Sequence, residues 1–191
     1  MSAKSLTRQA MPQSKIAFLL TGRPGCGKTT LIRRLVEGLG VPAGGFYTEE
    51  IRRGSRREGF ALVTLDGRTA TLASVRSASR HKVSKYGVNL DAIDGVGVPA
   101  IERATAEAAL VVIDEIGKME LFSNRFRQAV LSALESGKPI LGTIMLAPHP
   151  WADAIKSRPE VSVILLSESN RRQVESELLS ELRKRLRDTP V

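Results

Sequence analysis

The 191 residues suffice for one domain with its own core, and a hydrophobic fraction of 42% argues against a disordered chain. No apolar run approaches the ~18 residues of a membrane helix, the N-terminus lacks a signal-peptide core, and a single cysteine excludes an internal disulfide and, with two histidines, a Cys2His2 zinc site. These counts point to a soluble cytoplasmic protein, while 29 basic against 20 acidic residues (net +9) call for an anionic partner, nucleotide or nucleic acid, or else a solvated basic surface.

Residues 1–14 are polar, aperiodic and contain Pro12, and read as a flexible arm ahead of a single domain over 15–191. Residues 16–20 are a short apolar run, as in a strand buried on both faces. The stretch 21–27, rich in glycine, cannot continue it. Leu31, Ile32, Leu35 and Leu39 then recur at helical spacing until Gly40 and Pro42 stop the helix. Residues 45–51 and 59–65 flank the polar run 52–57, and Asp66-Gly67 turns the chain into 69–72, a small antiparallel meander. Residues 73–97 read as loop, and 99–107 as a helix. A second buried strand, 109–113, ends in Asp114-Glu115. A helix over 123–135 follows, with Phe126, Val130, Leu131 and Leu134 on one face. Strands are expected at 139–144 and 161–166. An amphipathic helix from 169 to about 187 turns Val174, Leu178, Leu179 and Leu182 inward. Strands alternating with helices imply an α/β fold, a mostly parallel sheet flanked by helices, with the meander as an antiparallel extension.

Two motifs carry chemistry. Gly22-Arg23-Pro24-Gly25-Cys26-Gly27-Lys28-Thr29 fits G-x-x-x-x-G-K-[ST] between a buried strand and a helix. Its backbone N–H groups and the helix N-terminus suit phosphates, Lys28 reaches the β- and γ-phosphates, and the Thr29 hydroxyl suits Mg²⁺. Asp114, at the carboxyl end of a parallel strand, is placed to hold the same Mg²⁺, directly or through water, and Glu115 to take a proton from, or orient, an attacking water. The catalytic pair is thus Lys28 and Glu115, and the metal pair Thr29 and Asp114. Thr30 and Gly117 complete the expected nucleotide-binding set. The loop touches only phosphate and metal, so it carries no base preference.

Asp114-Glu115-Ile116-Gly117-Lys118-Met119-Glu120-Leu121, together with Gly45-Phe46-Tyr47-Thr48-Glu49-Glu50 and Lys85-Tyr86-Gly87-Val88, resembles the cancer-related nucleoside-triphosphatase family of P-loop proteins. The resemblance runs from about Lys15 to the last helix and includes Asn170-Arg171. It implies a RecA-like sheet with meander additions. It also implies slow, Mg²⁺-dependent hydrolysis of ATP, GTP, CTP and UTP to diphosphate and phosphate, with Lys28, Thr29, Asp114 and Glu115 in the roles given above. Cys26 stands where that pattern has a small apolar residue.

Other residues carry two readings each. Lys118 and Glu120 either touch phosphate or organise the loop, or else form a salt-bridged surface turn. Thr143 senses the γ-phosphate if its strand lies between those of the loop and the acid pair, and otherwise packs. Arg52, Arg53, Arg56 and Arg57 offer an arginine finger or a solvated hairpin tip. Cys26 is either an activated thiolate that nucleotide protects from alkylation or a buried filler. Tyr86 and Trp151 suit core or lid, and His81 and His149 have no metal-ligand spacing. Two further functions stay open: a small nucleoside or nucleotide kinase, and an NTP-switched nucleic-acid-binding protein, although no nucleic-acid motif is present.

Overall fold

The computed structural model describes residues 15–188, so the expected arm at 1–14 lies outside the described residues. Nine strands form one mixed sheet in the order β5-β6-β4-β3-β2-β7-β8-β1-β9. They are β1 (Ala17–Thr21), β2 (Ala43–Arg53), β3 (Arg56–Thr64), β4 (Thr69–Ser74), β5 (Lys82–Val83), β6 (Tyr86–Val88), β7 (Leu110–Ile116), β8 (Ile140–Ile144) and β9 (Val161–Leu165). Strands β2, β7, β8, β1 and β9 are parallel. Strands β3, β4, β6 and β5 continue the sheet antiparallel.

The apolar strands are covered on both faces. The helices are α1 (Lys28–Leu39), α2 (Leu90–Ala92), α3 (Val98–Glu107), α4 (Asn124–Glu135), α5 (Pro150–Lys156) and α6 (Arg171–Asp188). In β1, Phe18 and Leu20 pack with Leu31, Ile32 and Leu35 of α1 and Val174, Leu178 and Leu182 of α6. Ala17 and Leu19 point the other way, into a core shared with Ile101 of α3, Phe126 and Val130 of α4, and Ile155 of α5. This alternation explains the unbroken apolar text of a strand that would be half polar in a one-sided sheet.

The sheet departs from the sequence expectation in three places. The first meander strand, β2, is also a core strand: Ala43–Tyr47 pair parallel with β7, and Phe46–Arg53 pair antiparallel with β3. The stretch read as loop at 73–97 contains the β5–β6 hairpin, then α2, capped by the Asn89 side chain, then one wide turn at Ile93–Gly97 that runs into α3. Two- and three-residue elements are too short to show a period. Helix α5 was not expected either; it starts at Pro150, where a missing N–H costs nothing.

Candidate functional site

The 22–27 loop joins β1 to α1 at the carboxyl edge of the parallel strands. Gly22 sits at φ 153°, and a Cβ there would lie 2.5 Å from the Leu166 carbonyl oxygen. Gly27, at φ 90°, begins α1 without any side-chain cap, and the first turn holds no acidic residue. The first N–H groups of α1 are therefore free to meet an external anion. Lys28 Nζ donates to the carbonyls of Gly22 (3.2 Å) and Arg23 (3.3 Å), so its ammonium lies over the loop.

The far end of the chain braces this loop. Arg171, the first residue of α6, donates from Nη2 to the Cys26 carbonyl at 2.8 Å, and its guanidinium packs against Gly27. Asn170 sets that position: its Nδ2 donates to the Leu165 carbonyl, and its Oδ1 accepts from Ser167 N–H, both at 2.8 Å. Arg171 entered the sequence reading only through the family resemblance. A basic residue at a helix start carries no local signal that it will grip a loop 145 residues away. Cys26 itself is 8% exposed and packs with Phe18, Leu20 and Leu31. This burial favours the filler reading, and Cys26 serves the loop through its backbone carbonyl.

Asp114 and Glu115 lie inside β7, with only Ile116 after them, rather than beyond the strand. Asp114 stands opposite Tyr47 of β2. Against β8, the register shifts between Ile113 and Ile116, an irregularity of the kind that re-aims side chains. Strand β8 lies between β7 and β1, and this places Thr143 beside the acid pair. The Thr143 hydroxyl donates to Asp114 Oδ1 at 2.6 Å. The Thr29 hydroxyl stands near enough to this carboxylate to lower its proton affinity. Asp114 Oδ2 is buried and has no partner among the described residues. Burial pushes the Asp114 carboxyl above its ordinary value, against the Thr143 hydrogen bond, the Thr29 hydroxyl and the charge of Lys28. Glu115 is also pushed up, first by burial and then by Asp114, with Lys28 pulling it back.

A third carboxyl completes the group. Glu120, in the short turn Glu120–Phe122, is only 4% exposed and accepts from the Gly117 N–H at 3.2 Å. Of its readings, the structure favours the one in which Glu120 organises the loop over the salt-bridged surface turn; Lys118 is the exposed member of the pair. Gly117 belongs here by its backbone, since a Cβ would come within 3.0 Å of Glu120 Oε2 and 3.2 Å of the Glu115 carboxyl carbon. Burial and the neighbouring Glu115 push Glu120 up from 4.5 to about 8. The folded state therefore keeps a proton that the unfolded chain releases. The stability this gives is present below pH 4.5 and is lost as pH rises through about 8. A Glu120→Gln variant should show a flatter decline of thermal midpoint between pH 5 and 9 than the parent. An unchanged slope would contradict the buried proton.

A cavity of about 530 Å³ opens beside these groups. Gly22, Arg23, Pro24 and Lys28 border it on the loop side, and Glu115, Gly117 and Glu120 on the acid side. Met119, with Met145 and Leu146 just after β8, lines a further part, and Thr48, Phe60, Leu72 and Val83 of the meander side form another wall. Tyr86 lies behind this wall, with its ring edge-on to Phe60 at 5.2 Å.

The hairpin arginines are bound locally. Arg52 and Arg57 both pair with Glu50, and Arg57 also donates to the Tyr86 hydroxyl. Arg53 and Arg56 face each other at the tip. That tip stands about 20 Å along β2 beyond Tyr47, by the usual strand rise. Thr30 is exposed on the first turn of α1. Among the described residues, no helix is long and apolar enough to cross a membrane.

A family model described as NTPase matches residues 17–179. The nucleoside-triphosphatase THEP1 of Thermotoga maritima is 46% identical over 166 residues, covering 87% of this chain and 95% of that protein. The protein of the same name from Methanocaldococcus jannaschii is 37% identical over 168 residues, covering 86% of this chain and 96% of its own. Among solved structures, THEP1 of Aquifex aeolicus superposes with a TM-score of 0.80 at 38% identity, over 87% of this chain and 98% of that one. A human cancer-related nucleoside triphosphatase gives 0.74 at 39% identity, over 87% and 96%.

Proposed function

The chain belongs to the NTPase family, and from that premise we propose that it cleaves the β,γ-anhydride of nucleoside triphosphates, with Mg²⁺ and with little regard for the base. In this reading the 22–27 loop is a P-loop in a RecA-like sheet. The observation that carries it is the pairing of an uncapped helix start at Lys28 with the buried acid pair one strand away. The residues present fit a magnesium ion. Asp114 Oδ2 is a buried oxygen without a partner, next to the Thr29 hydroxyl. Thr29 and Asp114 would hold the ion, which when bound neutralises charge on the phosphate oxygens.

The chain's own groups do the rest. Loop N–H groups from Gly22 to Thr30 cradle the phosphates, and the Lys28 ammonium turns from the loop carbonyls to the β- and γ-oxygens. Thr143 holds Asp114 in place from the middle strand. The raised carboxylate of Glu115 accepts a proton from water as the water oxygen bonds the γ-phosphorus. The bond to the bridging oxygen breaks and the diphosphate leaves. Arg171 keeps the loop in shape through the Cys26 carbonyl. A cytoplasmic setting suits the triphosphate substrate and the single thiol.

Phosphate release from ATP, GTP, CTP and UTP, measured with Mg²⁺ and with EDTA, tests this. Release rates within about tenfold of one another and loss of release with EDTA are the expected result. Turnover of one base alone, or undiminished turnover in EDTA, would overturn it.

A further inference from the structure

Hydrolysis needs room at Glu115 for one water, about 30 Å³. The cavity there holds about 530 Å³, within the range of sites for small organic molecules. We propose that this cavity is an acceptor subsite, and that the protein also transfers the γ-phosphoryl group to the hydroxyl of an uncharged nucleoside. This rests on the hydrolytic reading above and extends it, since the same donor phosphate and the same Glu115 serve both acceptors.

Three features of the wall select the ligand class. Phe60, Leu72, Val83, Met119, Met145 and Leu146 make most of it apolar. A ring and two adaptable thioethers suit a flat, polarisable body such as a nucleobase. Lys28 is taken up by the donor phosphates in the reading above, and the other cations, Arg23 and Lys118, are exposed at the mouth, so no further cation offsets a phosphate on the acceptor. Finally, Glu120 is a polar group only 4% exposed in this wall. One of its oxygens accepts from Gly117, and the protonated carboxyl can give a hydrogen bond to an acceptor oxygen. The donor's own base is not the occupant. The γ-phosphate end of the donor lies at Lys28 and Glu115, where the cavity begins, so its base points away.

The transfer balances simply. The nucleoside hydroxyl oxygen bonds the γ-phosphorus, the bond to the β,γ-bridging oxygen breaks, the diphosphate carries off the electron pair, and the hydroxyl proton passes to Glu115. The products are a nucleoside monophosphate and a nucleoside diphosphate. No oxidant or further reactant is needed.

The experiment uses the full chain with Mg²⁺ and γ-labelled ATP, first alone and then with millimolar adenosine, guanosine, cytidine, uridine or thymidine. Labelled products are separated by chromatography. The expected result is a labelled nucleoside monophosphate with at least one nucleoside. Val83→Trp, which fills the cavity from β5, should reduce that product at least tenfold while acceptor-free phosphate release stays within twofold. Leu146→Trp, at an exposed rim position, should do the same and is the check if the strand variant folds poorly. Label found only in inorganic phosphate with every nucleoside would overturn the acceptor subsite and leave hydrolysis standing. Transfer undiminished in both variants would overturn it too. A raised KM for ATP in acceptor-free release would overturn it by placing the donor's base in the cavity. Absence of acceptor-free release in the parent would overturn the hydrolytic reading and this one with it.

Discussion

Glu115→Gln is expected to lower phosphate release about a thousandfold and to leave Mg-nucleotide binding within a few-fold of the parent. The side chain keeps its length and shape, so the wall of the site is unchanged. What it loses is the carboxylate that accepts the water's proton. It also loses a negative charge that repels Asp114 and opposes an incoming triphosphate. Binding is therefore held or slightly improved while chemistry stops. Titration calorimetry with each nucleotide, beside single-turnover phosphate release, separates the two. Release at the parent rate would mean that some other group takes the proton, and the assignment of Glu115 would fall.

Lys28→Ala has the second large effect, and it differs in kind. Turnover falls at least a hundredfold, about 2.7 kcal/mol of transition-state stabilisation, and nucleotide affinity falls with it. In the proposed mechanism the ammonium serves the substrate phosphates and the protein at once. It draws down the proton affinity of both Glu115 and Asp114. Without it both carboxyls move further up, and the pH at which activity rises should shift upward as well. A pH–rate profile of the residual activity reads this directly. Parent-like affinity in the variant would mean that the lysine stays on the Gly22 and Arg23 carbonyls when nucleotide binds.

The features legible in the sequence were those written locally. A strand, a glycine loop and a helix follow one another over 17–39, and the two acidic residues stand beside their own apolar strand. What was hidden depends on partners far along the chain. The apolar and polar text of 43–53 does not say that its first half pairs with β7 and its second half with β3. Thr143 was placed conditionally, and the strand order supplies the condition by setting β8 in the middle. The surface-turn reading of Glu120 rested on its charge and on Lys118 two positions before it. Its burial comes from the 117–122 turn folding back on Gly117. The helical start at Leu90 announced itself only through Asn89, a single capping residue in a stretch rich in glycine and serine.

The position of β1 also governs how the protein is made. Ala17 pairs with Ile140 on one side and Val161 on the other, and both neighbours are synthesised late. The arginine that braces the 22–27 loop follows Cys26 by 145 residues. At ~5–20 residues per second, that is a wait of roughly 7 to 30 seconds on the ribosome. The hairpins of β2, β3 and β4 need no such wait, because their contacts are local. The emerging chain therefore has only α1 against the Phe18 and Leu20 face of β1, and no strand beside it, until its last third arrives. A product that stops before β9 leaves Phe18 and Leu20 without the α6 half of their core and the loop unbraced, a substrate for chaperones and proteases rather than a slower enzyme.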